Sequence, residues 1–179
     1  MTENPRASET AVESLPLDVL CDRIVAGTHA RAHAAVPRIR GRLAALAARE
    51  PLGTAPELHQ AFAALADRLL AHLAKEENIL FPALAALAEA ERTGRSRPPL
   101  AFPTVLHPIR VLESEHARLT AGLDTIEAIV RGAGESAAHD EAWRVVLDDL
   151  AAFGADLVAH VTFEADVLFP RALDLDRRV

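Results

Sequence analysis

Apolar residues recur three and four positions apart along four long stretches of the chain, and runs of Pro, Gly and polar residues separate those stretches. That periodicity predicts amphipathic helices from Leu15 to about Arg49, from about Ala55 to Glu91, from about Thr104 to Val130 and from about Asp140 to Ala172. Pro37 and Gly41 are expected to bend the first helix. Thr54 and Glu57 have the spacing of a capping box at the start of the second, with Pro56 tolerated in its first turn. The segment "RTGRSRPPLAFP" (92–103) reads as the longest loop, Pro108 as a disturbance in the third helix, "RGAGESA" as its end, and Pro170 as lying near the end of the fourth. No stretch reads as a strand. Residues 1–14 are expected to be a disordered lead-in and 15–179 a single domain, an all-α, up-down-up-down four-helix bundle.

One pattern occurs twice. "HLAKEENILFP" (72–82) and "HVTFEADVLFP" (160–170) share a His, a Glu four residues on, and Leu-Phe-Pro after three more. Four residues along an α-helix bring a side chain back to within about 40° of its starting direction. His72 therefore projects with Glu76, and His160 with Glu164. His29 precedes His72 by 43 residues and His116 precedes His160 by 44, so the chain reads as a duplicated helical hairpin. From His29 up to the first turn is roughly 30 Å of helix and back down to His72 roughly 26 Å; the second half gives roughly 26 and 30 Å. All four histidines can share one layer.

Four imidazoles and two carboxylates inside a bundle of Ala, Leu and Val are costly to bury without partners, and metal ions would supply them. Six ligands exceed the usual four of one zinc. They suit two metals about 3.5–4 Å apart, each held by two His and bridged by the Glu carboxylates. Iron, which takes roughly five or six ligands, would keep open positions for a small exogenous molecule. Nitrogen and oxygen ligands also accept zinc, manganese or copper.

Composition narrows the alternatives. With a formal net charge of -7, and with "RTGRSR" (92–97) as its only short basic run, the chain lacks the clustered cations that nucleic acid or an anionic membrane surface requires. No apolar run approaches ~18 residues, so no membrane span is expected. The single Cys21 forms no internal disulfide and the polar start lacks a secretory pattern, which points to the cytoplasm. Tyrosine is absent, which excludes a tyrosyl-radical enzyme.

The segments "THARAHAAVP" (28–37), "HLAKEENILFP" (72–82), "LESEHARL" (112–119) and "HVTFEADVLFPRAL" (160–173) resemble the hemerythrin-like, His-His-Glu cation-binding domains. The closest likeness is to the di-iron domain of proteins that repair iron centres after nitrosative and oxidative stress. The resemblance spans roughly residues 17–173. It implies His29, His72, Glu76, His116, His160 and Glu164 as ligands of two non-haem irons, oxo- or hydroxo-bridged. It further implies binding of nitric oxide or oxygen and iron donation to damaged iron-sulfur proteins. Oxygen-carrying hemerythrins add a further histidine; the position four after His160 is Glu164, so the pattern leans to the repair type. Repair proteins also carry a short N-terminal domain with a Cys-Cys pair, which residues 1–14 do not match.

Rival readings are an oxygen-binding, sensing or iron-storing protein and a di-iron oxidase or oxygenase. The latter uses Glu-x-x-His on two helices, and only Glu113 to His116 has that order among the candidate ligands. His33 reads as solvent-exposed or adjacent to the ligands, His59 and His107 as ordinary, and His139 as a loop residue. Glu77, turned about 140° from His72, reads as a solvated charge. Glu113 and Glu115 flank His116 and could orient ligands or pass protons. Phe81, Phe169 and Cys21 read as core.

Overall fold

A computed structural model of the protein describes residues 15–50, 52–133 and 140–179. The expected lead-in at 1–14 and His139 lie outside them. The described residues form four long helices and no strand. Helix α1 (17–49) comprises Leu17–Ile24, a π turn at Val25–His29 and Ala30–Arg49; α2 (54–93) comprises Thr54–Lys75, a π turn at Glu76–Leu80 and Phe81–Thr93. Helix α3 is Leu106–Gly132, without a π turn. Helix α4 (141–178) comprises Glu141–Phe163, a π turn at Glu164–Leu168 and Phe169–Arg178. Consecutive helices pack side by side, and α1 also packs on α4, so the bundle closes. None of these helices is long and apolar enough to cross a membrane.

Pro37 lies inside α1, which continues through it to Arg49. Several helix ends differ from the expectation. The N-cap of α2 is Gly53, with φ 113°, and no side chain caps it, so the Thr54–Glu57 box does not form; Thr54 is already the first helical residue. Pro108 stands in the first turn of α3 rather than interrupting it, because a missing N–H costs nothing there. Helix α4 continues past Pro170 to Arg178. Asp140 caps α4, its carboxylate accepting from the N–H groups of Ala142 (2.7 Å) and Trp143 (3.3 Å). Gly94, with φ 63°, ends α2 in the left-handed conformation that glycine adopts without strain.

Two apolar clusters stack along the bundle. One joins Ile39, Leu43, Phe62, Leu65, Leu119, Leu123, Trp143, Leu150 and Phe153 near the α1–α2 turn. The other joins Leu20, Ile24, Leu84, Leu87, Ile109, Leu112, Ala172 and Leu175 at the opposite end. Between them lies a polar layer. Buried positions from the N-cap Val105 through α3 keep alternating intervals of four and three: Val105, Ile109, Leu112, His116, Leu119, Leu123, Ile126. In α2 the same rhythm runs Leu58, Phe62, Leu65, Leu69, His72, Glu76 and then turns to fours at Leu80 and Leu84; in α4 it does so at Glu164, Leu168 and Ala172. Each shift is one extra residue, and each coincides with a π turn, where the N–H of Phe81 donates to Glu76 O and that of Phe169 to Glu164 O, five residues back. In α1 the break falls between Ile24 and His29.

The loop 94–105 is tied to the end of α4 through Asp176. Its carboxylate accepts from Thr104 Oγ1 (2.6 Å) and Val105 N (3.2 Å) and pairs with Arg97 Nη1 (2.5 Å). Burial alone would raise its pKa, but these donors outweigh it and hold the carboxyl below its ordinary value. Asp176→Ala is expected to destabilise the fold by on the order of 2 kcal/mol at neutral pH, since it strips donors of a charged acceptor. A depressed carboxyl stabilises above its unfolded pKa and loses that contribution on acidification, so urea denaturation should show the deficit shrinking as pH falls below about 3.8.

Candidate metal centre

Among the described residues the buried polar or charged side chains are His29, His72, Glu76, His116, His160 and Glu164, each at most 5% exposed. These are the six positions selected from spacing. Each helix brings one histidine, and α2 and α4 add a glutamate one turn on. Ligand atoms of His72, Glu76, His116, His160 and Glu164 all lie within 4.8 Å of one another. His29 joins them through Glu76, its Nε2 being 3.3 Å from Oε2.

The two glutamates link the imidazoles. Glu76 Oε1 is 3.2 Å from His72 Nε2, and Oε2 faces His29 and, at 3.7 Å, His160. Glu164 Oε2 is 3.1 Å from His116 Nε2 and 3.6 Å from His160 Nε2. His72 and His116 present their Nε2 atoms to each other at 3.1 Å. His29 Nε2, His160 Nε2 and all four carboxylate oxygens of Glu76 and Glu164 are buried without a hydrogen-bond partner. Orphaned nitrogen and oxygen donors aimed at one space fit divalent or trivalent metal ions, which would satisfy them together.

The residues around this space also come in pairs. Phe81 stacks on His29 with centroids 5.7 Å apart, and Phe169 on His116 at 5.6 Å. Phe81 and Phe169 of the repeated Leu-Phe-Pro thus close the layer with an aromatic face on each side and are core, as read, while Pro82 and Pro170 are exposed. Cys21 is buried in the neighbouring cluster, where burial first, then nearby carboxylates, push its thiol up to about 12, and it packs as core.

Glu77 corrects the sequence reading. Its Oε1 lies 2.7 Å from His29 Nδ1, so it is a partner of the centre and not only a solvated charge. The angular argument measured Glu77 against its own helix and assumed α-helical rotation, whereas it sits in a π turn and its partner is on α1. The signal available was the acidic doublet Glu76-Glu77. Glu115 lies on α3 with Oε2 3.2 Å from His72 Nδ1, while Oε1 receives Lys75 Nζ. Glu113 points to solvent, as do His107 and the half-exposed His33, whose Nε2 is 3.8 Å from Glu77 Oε1.

The sequence profile of the hemerythrin HHE cation-binding domain matches residues 23–172. The chain belongs to that family. Membership and the buried His/Glu cluster together make it a non-haem iron-binding domain by kind. Among its relatives are the iron-sulfur cluster repair proteins YtfE of Yersinia pestis (strain Pestoides F) and of Yersinia pseudotuberculosis serotype O:1b (strain IP 31758), each 30% identical over 123 residues. The aligned part covers 69% of this chain and 48% of each relative, so the chain spans about half the length of the curated relatives it matches.

The charges of the six buried side chains are unevenly held. Burial opposes ionisation of Glu76, but the imidazoles of His29 and His72 outweigh it and hold this carboxyl below its ordinary range. Burial and the charge of Glu76 push Glu164 well above it. Burial also lowers His116 and His160 from about 6.5 to about 4, whereas at His72 the carboxylates of Glu76 and Glu115 overcome burial and raise the pKa. An imidazole with a lowered pKa stabilises the fold above its unfolded value, and that contribution is lost as pH falls through the folded value. In the metal-free chain His116 and His160 should therefore draw stability down as pH falls from about 6.5 to about 4, partly offset by Glu164, whose raised carboxyl is protonated in the fold while still ionised in the unfolded chain. In urea melts, His160→Leu should flatten this slope; a native midpoint constant across the window contradicts the account.

Proposed function

We propose that the protein is a binuclear non-haem iron protein that binds nitric oxide or oxygen and donates iron for repair of damaged iron-sulfur clusters. His29, His72, His116 and His160 would be terminal ligands, and Glu76 and Glu164 bridging carboxylates. The observation that carries this reading is that, among the described residues, the buried polar set consists of these six side chains, with Nε2 of His29 and His160 and all four carboxylate oxygens of Glu76 and Glu164 left without a hydrogen-bond partner. The placement of the glutamates supports a bridging role, since each faces histidines of more than one helix. Bound iron would supply open coordination positions and one-electron redox chemistry. The chain's own part is to hold the carboxylates ionised or ready to release a proton, to orient the imidazoles and to exclude water with Phe81 and Phe169.

A repair role draws on the names of the relatives, YtfE proteins of which this chain aligns with about half. Two histidines per iron leave both metals with open positions and a looser hold, which suits surrender of iron better than oxygen transport.

Iron loaded anaerobically should reach about two per chain. Glu76→Ala and Glu164→Ala should each lower that number and destabilise the bundle, because imidazoles and metal charge are left buried without partners. Metal analysis checks this, and full iron occupancy with unchanged optical spectra in both variants would overturn it. Titrating the diferrous protein with nitric oxide should give iron-nitrosyl bands, and an apo iron-sulfur protein should then take up iron. Stable, reversible oxygenation with neither nitrosyl bands nor iron transfer favours an oxygen-binding protein instead.

A further inference from the structure

Helices α1 and α4 meet along a seam of opposite charges. Arg31 pairs with Asp156, Arg38 and Arg42 with Asp149, and Arg49 with Asp140. Behind the first of these pairs lies a cavity whose space for a water-sized molecule is about 20 Å³. About 10–15 Å³ of such space admits one water, so the cavity has room for one small molecule. Its outer rim is Arg31 and Asp156, both about half-exposed, and its inner end is His29 and His160, both buried. The two helices line it at the same intervals, i, i+3, i+4 and i+7, starting from Thr28 on α1 and from Phe153 on α4.

Inside the rim the walls are apolar. Leu69, Leu73, Phe153 and Leu157 are each at most 5% exposed, and Ala32 and Ala35 leave space that a larger side chain would fill. Thr28 also lines the cavity, but its hydroxyl donates to Ile24 O at 3.0 Å. The walls thus offer few partners to a water and no charge to an ion. At the inner end Nε2 of His29 and of His160 are buried without a hydrogen-bond partner, whereas neither His72 nor His116 lines the cavity.

We propose that this cavity is the port through which an uncharged diatomic molecule reaches the metal layer, and that the Arg31–Asp156 pair is its cover. This inference rests on the reading of the layer as a metal centre that takes such ligands, and adds the side from which they enter, between α1 and α4. A charged species would shed its water among apolar walls with nothing to replace it. A neutral diatomic has little hydration to lose and is of the size that the cavity holds. The cover is two-pronged, with Arg31 Nε donating to Asp156 Oδ2 at 3.1 Å and Nη2 to Oδ1 at 3.2 Å. It closes the rim against bulk water, yet an exposed ion pair is weakly held and its side chains change rotamer readily, so it opens often. Ferrous ion, being charged, enters elsewhere, and the port separates ligand uptake from iron loading.

Two substitutions should act in opposite directions: Ala35→Leu fills the cavity, and Asp156→Ala removes the cover from a half-exposed position. In stopped-flow mixing of nitric oxide with the anaerobic diferrous protein, uptake should slow about 10-fold or more in Ala35→Leu and quicken about twofold or more in Asp156→Ala. Iron per chain and the rate of iron loading should match the parent in both. Nitric oxide is uncharged, so salt acts on its uptake through the cover. The parent's rate should rise from low salt to about 1 M, and that of Asp156→Ala should stay flat.

The metal-free chain supplies a readout independent of iron. Dissolved dioxygen is paramagnetic and speeds relaxation of nearby protons, so in NMR the methyl groups of Leu69 and Leu73 should relax faster than those of the buried Leu43 and Leu58, which do not line the cavity. Ala35→Leu should abolish the difference. Circular dichroism shows whether that variant is folded; if it is not, Asp156→Ala and the parent's dioxygen pattern decide. Equal uptake rates in the parent and both variants, or no excess relaxation at Leu69 and Leu73, overturn the port and leave the metal reading in place. A parent that loads iron but gives no nitrosyl bands overturns the nitric oxide reading, and the dioxygen pattern then decides by itself whether the cavity admits diatomic molecules.

Discussion

Six ionisable side chains share one layer of an apolar bundle, and nothing in the hydrocarbon above or below can solvate them. The cost of that burial is the constraint to which the rest of the molecule conforms. Two apolar clusters hold the helices at a spacing that lets the imidazoles of four helices meet. An electrical compromise follows from it: Glu76 is held towards its charged form by histidines, and Glu164 is pushed towards its neutral form by burial and then by the charge of Glu76. Such a layer links cation binding to folding, since the groups that a metal satisfies are those that strain the metal-free bundle.

Most of the architecture could be read from the chain. The three-four rhythm of Leu, Val, Ala and Ile sets the number of helices, and a His and a Glu four apart on one face mark the layer whatever surrounds them. What escaped had a different physical origin. Whether Thr54 caps α2 or starts it depends on the backbone of Gly53 before it, which the pattern of side chains does not reveal. The reach of α4 past Pro170 depends on a π turn that widens the helix just ahead of the proline.

Glu77 escaped for a related reason. A helical wheel treats one helix at a constant rotation, whereas this residue combines a locally altered rotation with a partner 48 positions away on α1. Glu115 was legible as a neighbour of His116 but not as the partner of His72, because adjacency to His116 in sequence says nothing about which imidazole it faces across the bundle. The six buried residues formed a pattern visible along single helices; the carboxylates behind them belong to contacts between helices. That difference separates what a sequence displays from what only folding brings together.

The π turns leave a mark on how this fold can change by descent. Each is a one-residue insertion that has been absorbed into a helix, and the apolar face beyond it, from Leu80 in α2 and from Leu168 in α4, is cut to the shifted phase. Point substitutions that replace the six polar residues by leucine would leave those insertions behind. A lineage that discarded the centre and reverted to regular helices would need deletions in three helices, each turning all downstream side chains by about 100° and so requiring the clusters to be recut. The centre is therefore written into the spacing of the helices as well as into its own residues, and gaps in an alignment would record its loss as plainly as a missing histidine.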